Sequence, residues 1–344
     1  MKKLFFSLVA LTMATMSYAQ SSVLATLSHE GEISTFYGAT ALKQAHAAAE
    51  HGDVITLSSG SFQAVDITKA VTIRGAGMQA DSIALIYPSI VVGSFSINVA
   101  DSLEQRLTVE GIYCDNSQIY YRNTLRNATF IKSRFYSIER YSSGSRMKDV
   151  AFIHCKIANY FENSGSANSV SFVSSVIMNP TVGSSSYTDN SFEFTNCVVR
   201  WAGYYPSKRS YYAIYRNCVL SSSSSGSDNY LSNTNMVYNC LGIASSNMFK
   251  NLGEFGNNLF YTTENLSDVF KTWTGTYSDV ETFELTDNAK TQYPGDDGKE
   301  LGIYGGNLPF TPNPTNPKIT KFNVASKSTA DGKLSVDIEV KAAE

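Results

Sequence analysis

Two groups of residues in this 344-residue chain are of types that handle sugars and acids. In the first, rings and cations interleave: Trp201, Tyr204, Tyr205, Lys208, Arg209, Tyr211 and Tyr212. Aromatic faces stack on sugar rings, and cations hold carboxylates or sulfates. Trp201, Tyr204, Tyr205, Tyr211 and Arg209, with Arg134 from earlier in the chain, are therefore the candidate carbohydrate-binding residues. The competing reading is a solvated basic surface with its tyrosines packed into turns. The second group is Arg122, Arg140 and Glu162, an acid with bases that a groove floor needs for proton transfer on an acidic glycan. Its simpler reading starts from the tetrads Tyr120-Tyr121-Arg122-Asn123, Tyr160-Phe161-Glu162-Asn163, Tyr230-Leu231-Ser232-Asn233 and Met248-Phe249-Lys250-Asn251. Each then supplies a core residue, an exposed residue and an Asn turn. Glu139 and Asp189 are scattered, and Asp296-Asp297 between glycines reads as a solvated turn.

The cations are concentrated. Residues 117–216 hold 12 Lys/Arg and 5 Asp/Glu, a net of +7, and the remainder nets −10. A site for an acidic polysaccharide on the middle rungs is the expectation. The whole-chain charge of −3 lacks the strong basic excess of a dedicated nucleic-acid binder. Four His and five Cys, none in CxxC or HxxxH spacing, argue against a structural zinc site. No metal or other cofactor is expected. Cys197, Cys218 and Cys240 share one inward column, close enough in an extended stack for a disulfide. The favoured reading is reduced thiols acting as small apolar residues, as Ser133 and Ser175 do in the same column.

The elements that position these residues are repeats. FIKSRF at Phe130, FIHCKI at Phe152, FVSSVI at Phe172, FTNCVV at Phe194, YRNCVL at Tyr215 and VYNCLG at Val237 align on a fourth-position marker. Successive markers Ser133, Cys155, Ser175, Cys197, Cys218 and Cys240 lie 22, 20, 22, 21 and 22 residues apart. Ile112 extends the series backward and Thr262 forward. The residue before the marker is Gly111, Lys132, His154, Ser174, Asn196, Asn217 or Asn239. Gly and Asn tolerate the left-handed backbone of a tight turn. The pattern predicts an all-β parallel β-helix solenoid of eight to ten coils. The 46 Ser and 25 Asn supply its turns. An Ala-rich helix over 39–51 is predicted to cap its start. Strands at Ile319–Phe322 and Leu334–Val340, turning at Asp331-Gly332, are predicted to form a C-terminal hairpin.

The opening segment AAAEHGDVITLSSGSF from Ala47, followed by VTIRGAGM from Val71, resembles the first coil of the pectin-lyase-like superfamily. GKELGIYGG from Gly298 is similar to the last segment of exported bacterial members without assigned activity. The resemblance covers about residues 38 to 310 and implies a right-handed parallel β-helix solenoid. It does not select a function, because the fold hosts lyases, hydrolases, esterases and non-catalytic adhesins. The clustered Asp residues of the polygalacturonases are absent, as is the calcium-binding carboxylate cluster of pectate lyases.

Lys2 and Lys3, the apolar run Leu4–Met13 and Ser17-Tyr18-Ala19 read as a signal peptide cleaved after Ala19. The organisation expected is a signal at 1–19, a segment with the capping helix at 20–52, the β-helix with an irregular exit at 53–316, and a hairpin or tail at 317–344. No membrane span is expected. The leading expectation is an exported, non-catalytic protein that binds an acidic polysaccharide or another surface. The alternative is a divergent polysaccharide lyase or glycoside hydrolase acting on uronate-containing glycans, and calcium enters only there.

Overall fold

A computed structural model describes residues 23–80, 87–100, 103–163, 165–202, 210–223, 230–252, 256–313, 318–324, 327–328 and 331–341. One residue at the corner of each repeat stands in the left-handed backbone region. These are Gly111 (φ 65°), Lys132 (45°), His154 (54°), Ser174 (44°), Asn196 (54°), Asn217 (52°), Asn239 (51°) and Asn258 (51°). All but the last are the predicted positions. Asn258 corrects the final repeat: its marker is Leu259, since Leu241 pairs with Phe260, and not Thr262. Close approach also explains a glycine of the RGAGM stretch, because a Cβ on Gly75 would stand 2.3 Å from the Gly111 carbonyl oxygen.

Strands that precede the corners form one sheet and strands that follow them form another. Leu107–Glu110, Thr124–Ile131, Arg146–Ile153, Ala167–Val173, Phe192–Thr195, Ala213–Arg216 and Met236–Tyr238 lie parallel and in order in the first. Ile112–Tyr121, Arg134–Arg140, Lys156–Asn163, Val176–Met178, Val198–Trp201, Val219–Ser222 and Leu241–Ile243 do so in the second. The result is a parallel β-solenoid of about eight turns.

The repeated apolar position makes its interior. Phe130, Phe152, Phe172, Phe194 and Tyr215 stack ring on ring, with centroids 4.9, 4.8, 4.6 and 4.7 Å apart. That is the spacing of neighbouring strands. The markers form a hydrogen-bonded column beside them. Ser133 Oγ donates to Ile131 O, and Cys155 Sγ to Ile153 O. The Cys155 and Cys197 amides donate onward to Ser175 Oγ and Cys218 Sγ. All five cysteines are free and buried. Burial pushes the Cys155 thiol up to about 12 and holds Cys197 and Cys240 well above their ordinary value.

At the start, Leu24–His29 and Glu32–Tyr37 form an antiparallel hairpin that joins Val54–Leu57. The sequence reading did not anticipate this pair. The helix is Ala41–Ala48, with Ala41, Leu42 and Ala45 buried. Lys69 Nζ donates to the carbonyls of His46, Ala47 and Ala49 at its end. At the other terminus Lys318–Val324 pairs antiparallel with Val336–Lys341. The proposed signal peptide lies outside the described residues. Among the described residues no helix is long and apolar enough to cross a membrane.

Candidate functional site

The residue after each marker points away from the coil interior. In lateral register this column runs Tyr113, Arg134, Lys156, Val176, Val198, Val219, Leu241 and Phe260. Its apolar part requires cover, and the irregular exit segment supplies it. Val269, Phe270, Trp273, Phe283, Leu285 and Ile303 pack with Val176, Val198, Val219 and Leu241 into a second hydrophobic cluster outside the solenoid. Where the column becomes polar the cover lifts. A cavity of about 370 Å³ opens there, lined by Tyr113, Arg134, Lys156, Tyr277, Asp279, Tyr304 and Phe310 among others.

Both cations on the cavity wall are tightly held. Arg134 Nη2 stands 2.8 Å from Asp279 Oδ1, and Nε donates to the Tyr277 hydroxyl at 3.2 Å. The guanidinium lies 4.1 Å from the Tyr113 ring centre and 5.4 Å from that of Tyr277. Its Nη1 is buried without a hydrogen-bond partner among the described residues. Lys156 Nζ donates to the Glu281 carbonyl at 3.1 Å, with the Phe310 and Phe283 rings 5.5 and 5.8 Å away. Burial pulls the Lys156 ammonium down to about 8; Asp279 and Glu281 oppose the shift and Arg134 adds to it. Burial also pushes the Tyr304 hydroxyl up to about 12 and those of Tyr113 and Tyr277 higher, so all three remain donors. The Tyr113 and Tyr304 hydroxyls donate to Asp115 and to Thr282 O. The cavity therefore offers two cations, the Tyr277 hydroxyl and ring faces, in a volume suited to a small ligand or one residue of a polymer.

Of the predicted carbohydrate-binding residues, Arg134 is in this cavity. Trp201 requires correction. Its indole is fully buried, stacks on Tyr230 at 5.4 Å and donates to Pro180 O, so neither face is open to a sugar. Tyr211 is half-buried on a different part of the coil. Tyr204, Tyr205 and Arg209 lie outside the described residues.

The second group is only partly assembled. Arg140 Nε and Glu162 Oε1 pair at 3.1 Å, while Arg122 covers the Tyr141 ring at 3.7 Å. The tetrads that suggested a shared groove are out of step, since Tyr121 is in register with Arg140 whereas Phe161 is in register with Ile138. Asp296 accepts from Asn217 Nδ2 at 2.7 Å, so its turn is tied to a corner of the solenoid. Among the described residues no three His, Cys, Asp or Glu side chains come together to hold a metal.

Tyr113, Lys156, Tyr277 and Asp279 were not singled out from sequence. The readable signal was the column itself: valines on outward strand positions announce a cover, and the switch to Lys156 and Arg134 marks its edge. No family model, curated protein or solved structure matches the chain.

Proposed function

We propose that this protein is an exported right-handed β-helix of the pectin-lyase-like kind that binds an acidic polysaccharide through the cavity over Arg134 and Lys156. In this reading the helix at Ala41–Ala48 closes one end of the stack, and the C-terminal hairpin is an appendage. The observation that carries it is the way Asp279 sits on Arg134. A carboxylate is held there by a guanidinium that itself lies over the Tyr113 and Tyr277 rings, and the same cation would hold a uronate. The unpartnered Arg134 Nη1 is a further donor for such a ligand. Titration of the full chain with oligogalacturonate tests the reading. Saturable binding that weakens about tenfold or more in Arg134→Gln is expected. Absence of binding to any acidic glycan, or affinity indifferent to Arg134, ends it.

A lyase is the second reading, favoured by one observation: burial beside the Arg134 cation pulls the Lys156 ammonium down to about 8, so a fraction of it is a neutral amine. A neutral amine takes the proton α to a uronate carboxylate while Arg134 neutralises that carboxylate. The carbon–oxygen bond β to it then breaks, leaving a carbon–carbon double bond, and a phenol protonates the departing oxygen. Ultraviolet-absorbing unsaturated product, lost in Lys156→Gln, is the expected sign of this activity. Intact oligogalacturonate after prolonged incubation excludes it.

A further inference from the structure

We infer that a second binding site for an anionic sugar strand lies over Arg126, Arg146 and Lys148, on the outer side of the first sheet. A groove of about 380 Å³ runs there, and Thr124, Ser166, Asn168 and Asp189 complete its polar lining. Register makes it. Arg126 pairs laterally with Lys148, and Lys148 with Asn168; Thr124 pairs with Arg146. Two cations thus stand on adjacent strands about 4.8 Å apart, an arrangement that repels and weakens the sheet.

Elsewhere on the middle rungs the protein offsets its cations. Arg140 has Glu162, Arg134 has Asp279, Arg216 has Glu193, and Arg122 has the Tyr141 ring. The side chains of Arg146 and Lys148 make no ion pair and no hydrogen bond among the described residues. Arg146 and Lys148, like charges on one face of a concave polar groove, are complementary to an external polyanion. Hydroxyl and amide groups beside the cations suit the hydroxyls of a sugar. None of the lining residues is aromatic, so the stacking platform for single-stranded nucleic acid is missing.

This inference shares with the proposed function an acidic glycan as partner, but it does not depend on the Arg134 cavity. The test compares four full-length proteins: wild type, R134Q, R146S/K148S and the combination. Each is titrated with a heparin oligosaccharide, an oligogalacturonate and an oligothymidylate of equal charge, at two salt concentrations. R146S/K148S is expected to weaken binding of at least one glycan about tenfold and to flatten its salt dependence, also in the R134Q background. Preference for heparin then identifies sulfate as the recognised group, and preference for oligogalacturonate identifies carboxylate. Unchanged affinity in R146S/K148S overturns the site. Oligothymidylate that binds as tightly and is lost equally overturns its assignment to sugars. R134Q alone abolishing all binding leaves the cavity standing and removes the groove. Full binding in R134Q with loss in R146S/K148S does the reverse.

Discussion

Asp279 occupies the place a bound carboxylate would take, so it competes with any such ligand. Asp279→Asn is expected to tighten oligogalacturonate binding several-fold, roughly up to tenfold, measured by calorimetry; equal or weaker affinity contradicts the role. Lys156 adds a pH dependence whose sign follows from its depressed value of about 8 against an ordinary 10.5. Its charge is lost as pH rises through about 8, so oligogalacturonate affinity, measured by calorimetry on both sides of that value, is expected to decline there, and Lys156→Gln is expected to remove the decline. Stability of the unliganded protein moves oppositely. The folded state binds fewer protons than the unfolded chain between those two values, so it gains relative stability as pH rises across them. Arg134 was legible as a cation in a repeat. Its partners Tyr277 and Asp279 were not, because they arrive from a segment with no periodicity. Trp201 was misread because interleaved rings and cations carry no information about direction. Alternation counted from the corner places it with Val199, inside.

Corners were the most legible elements, since left-handed backbone restricts residue type more sharply than burial does. At Asn217 the backbone and the side chain both matter. Its amide donates to Asp296 at 2.7 Å and accepts from Asn239 at 2.8 Å, linking the solenoid to the exit segment. Asn217→Val is expected to destabilise by about 2–4 kcal/mol in urea unfolding, from left-handed strain plus the lost hydrogen bonds. Asn217→Gly keeps the backbone and loses only the bonds, so its cost is expected to be about half. Equal effects in the two variants exclude backbone strain as the cause. The hairpin over Leu24–Tyr37 escaped notice because five of the six residues in its outer strand are exposed, leaving no apolar alternation to detect.

Across the molecule, the exit segment couples the chain's last third to its middle. His154 stands at a corner beneath it, with Nε2 3.2 Å from Leu308 O and its ring 5.9 Å from that of Phe310. Burial depresses its pKa below the ordinary 6.5, so the folded state favours the neutral ring. That contribution is complete above about 6.5 and fades as pH falls through the depressed value. In a Trp201→Phe background, Trp273 reports the docked segment. Acid is expected to red-shift its emission, and His154→Asn, which suits the corner, is expected to suppress the shift; an identical shift in both assigns the release to other groups. The charge map read from sequence gave the right middle rungs as the basic region. It did not show that their cations divide between two sheets, because sheet assignment depends on counting from each corner. The same corners make the chain's length quantised. Between a left-handed residue and its stacked ring the spacing is invariant, so an inserted residue there would turn the core ring of that rung outward. Loops between coils absorb single residues, as spacings of 19 to 22 show. Growth or loss of the solenoid itself must proceed by entire coils, which makes this architecture one that lengthens by duplication and not by drift.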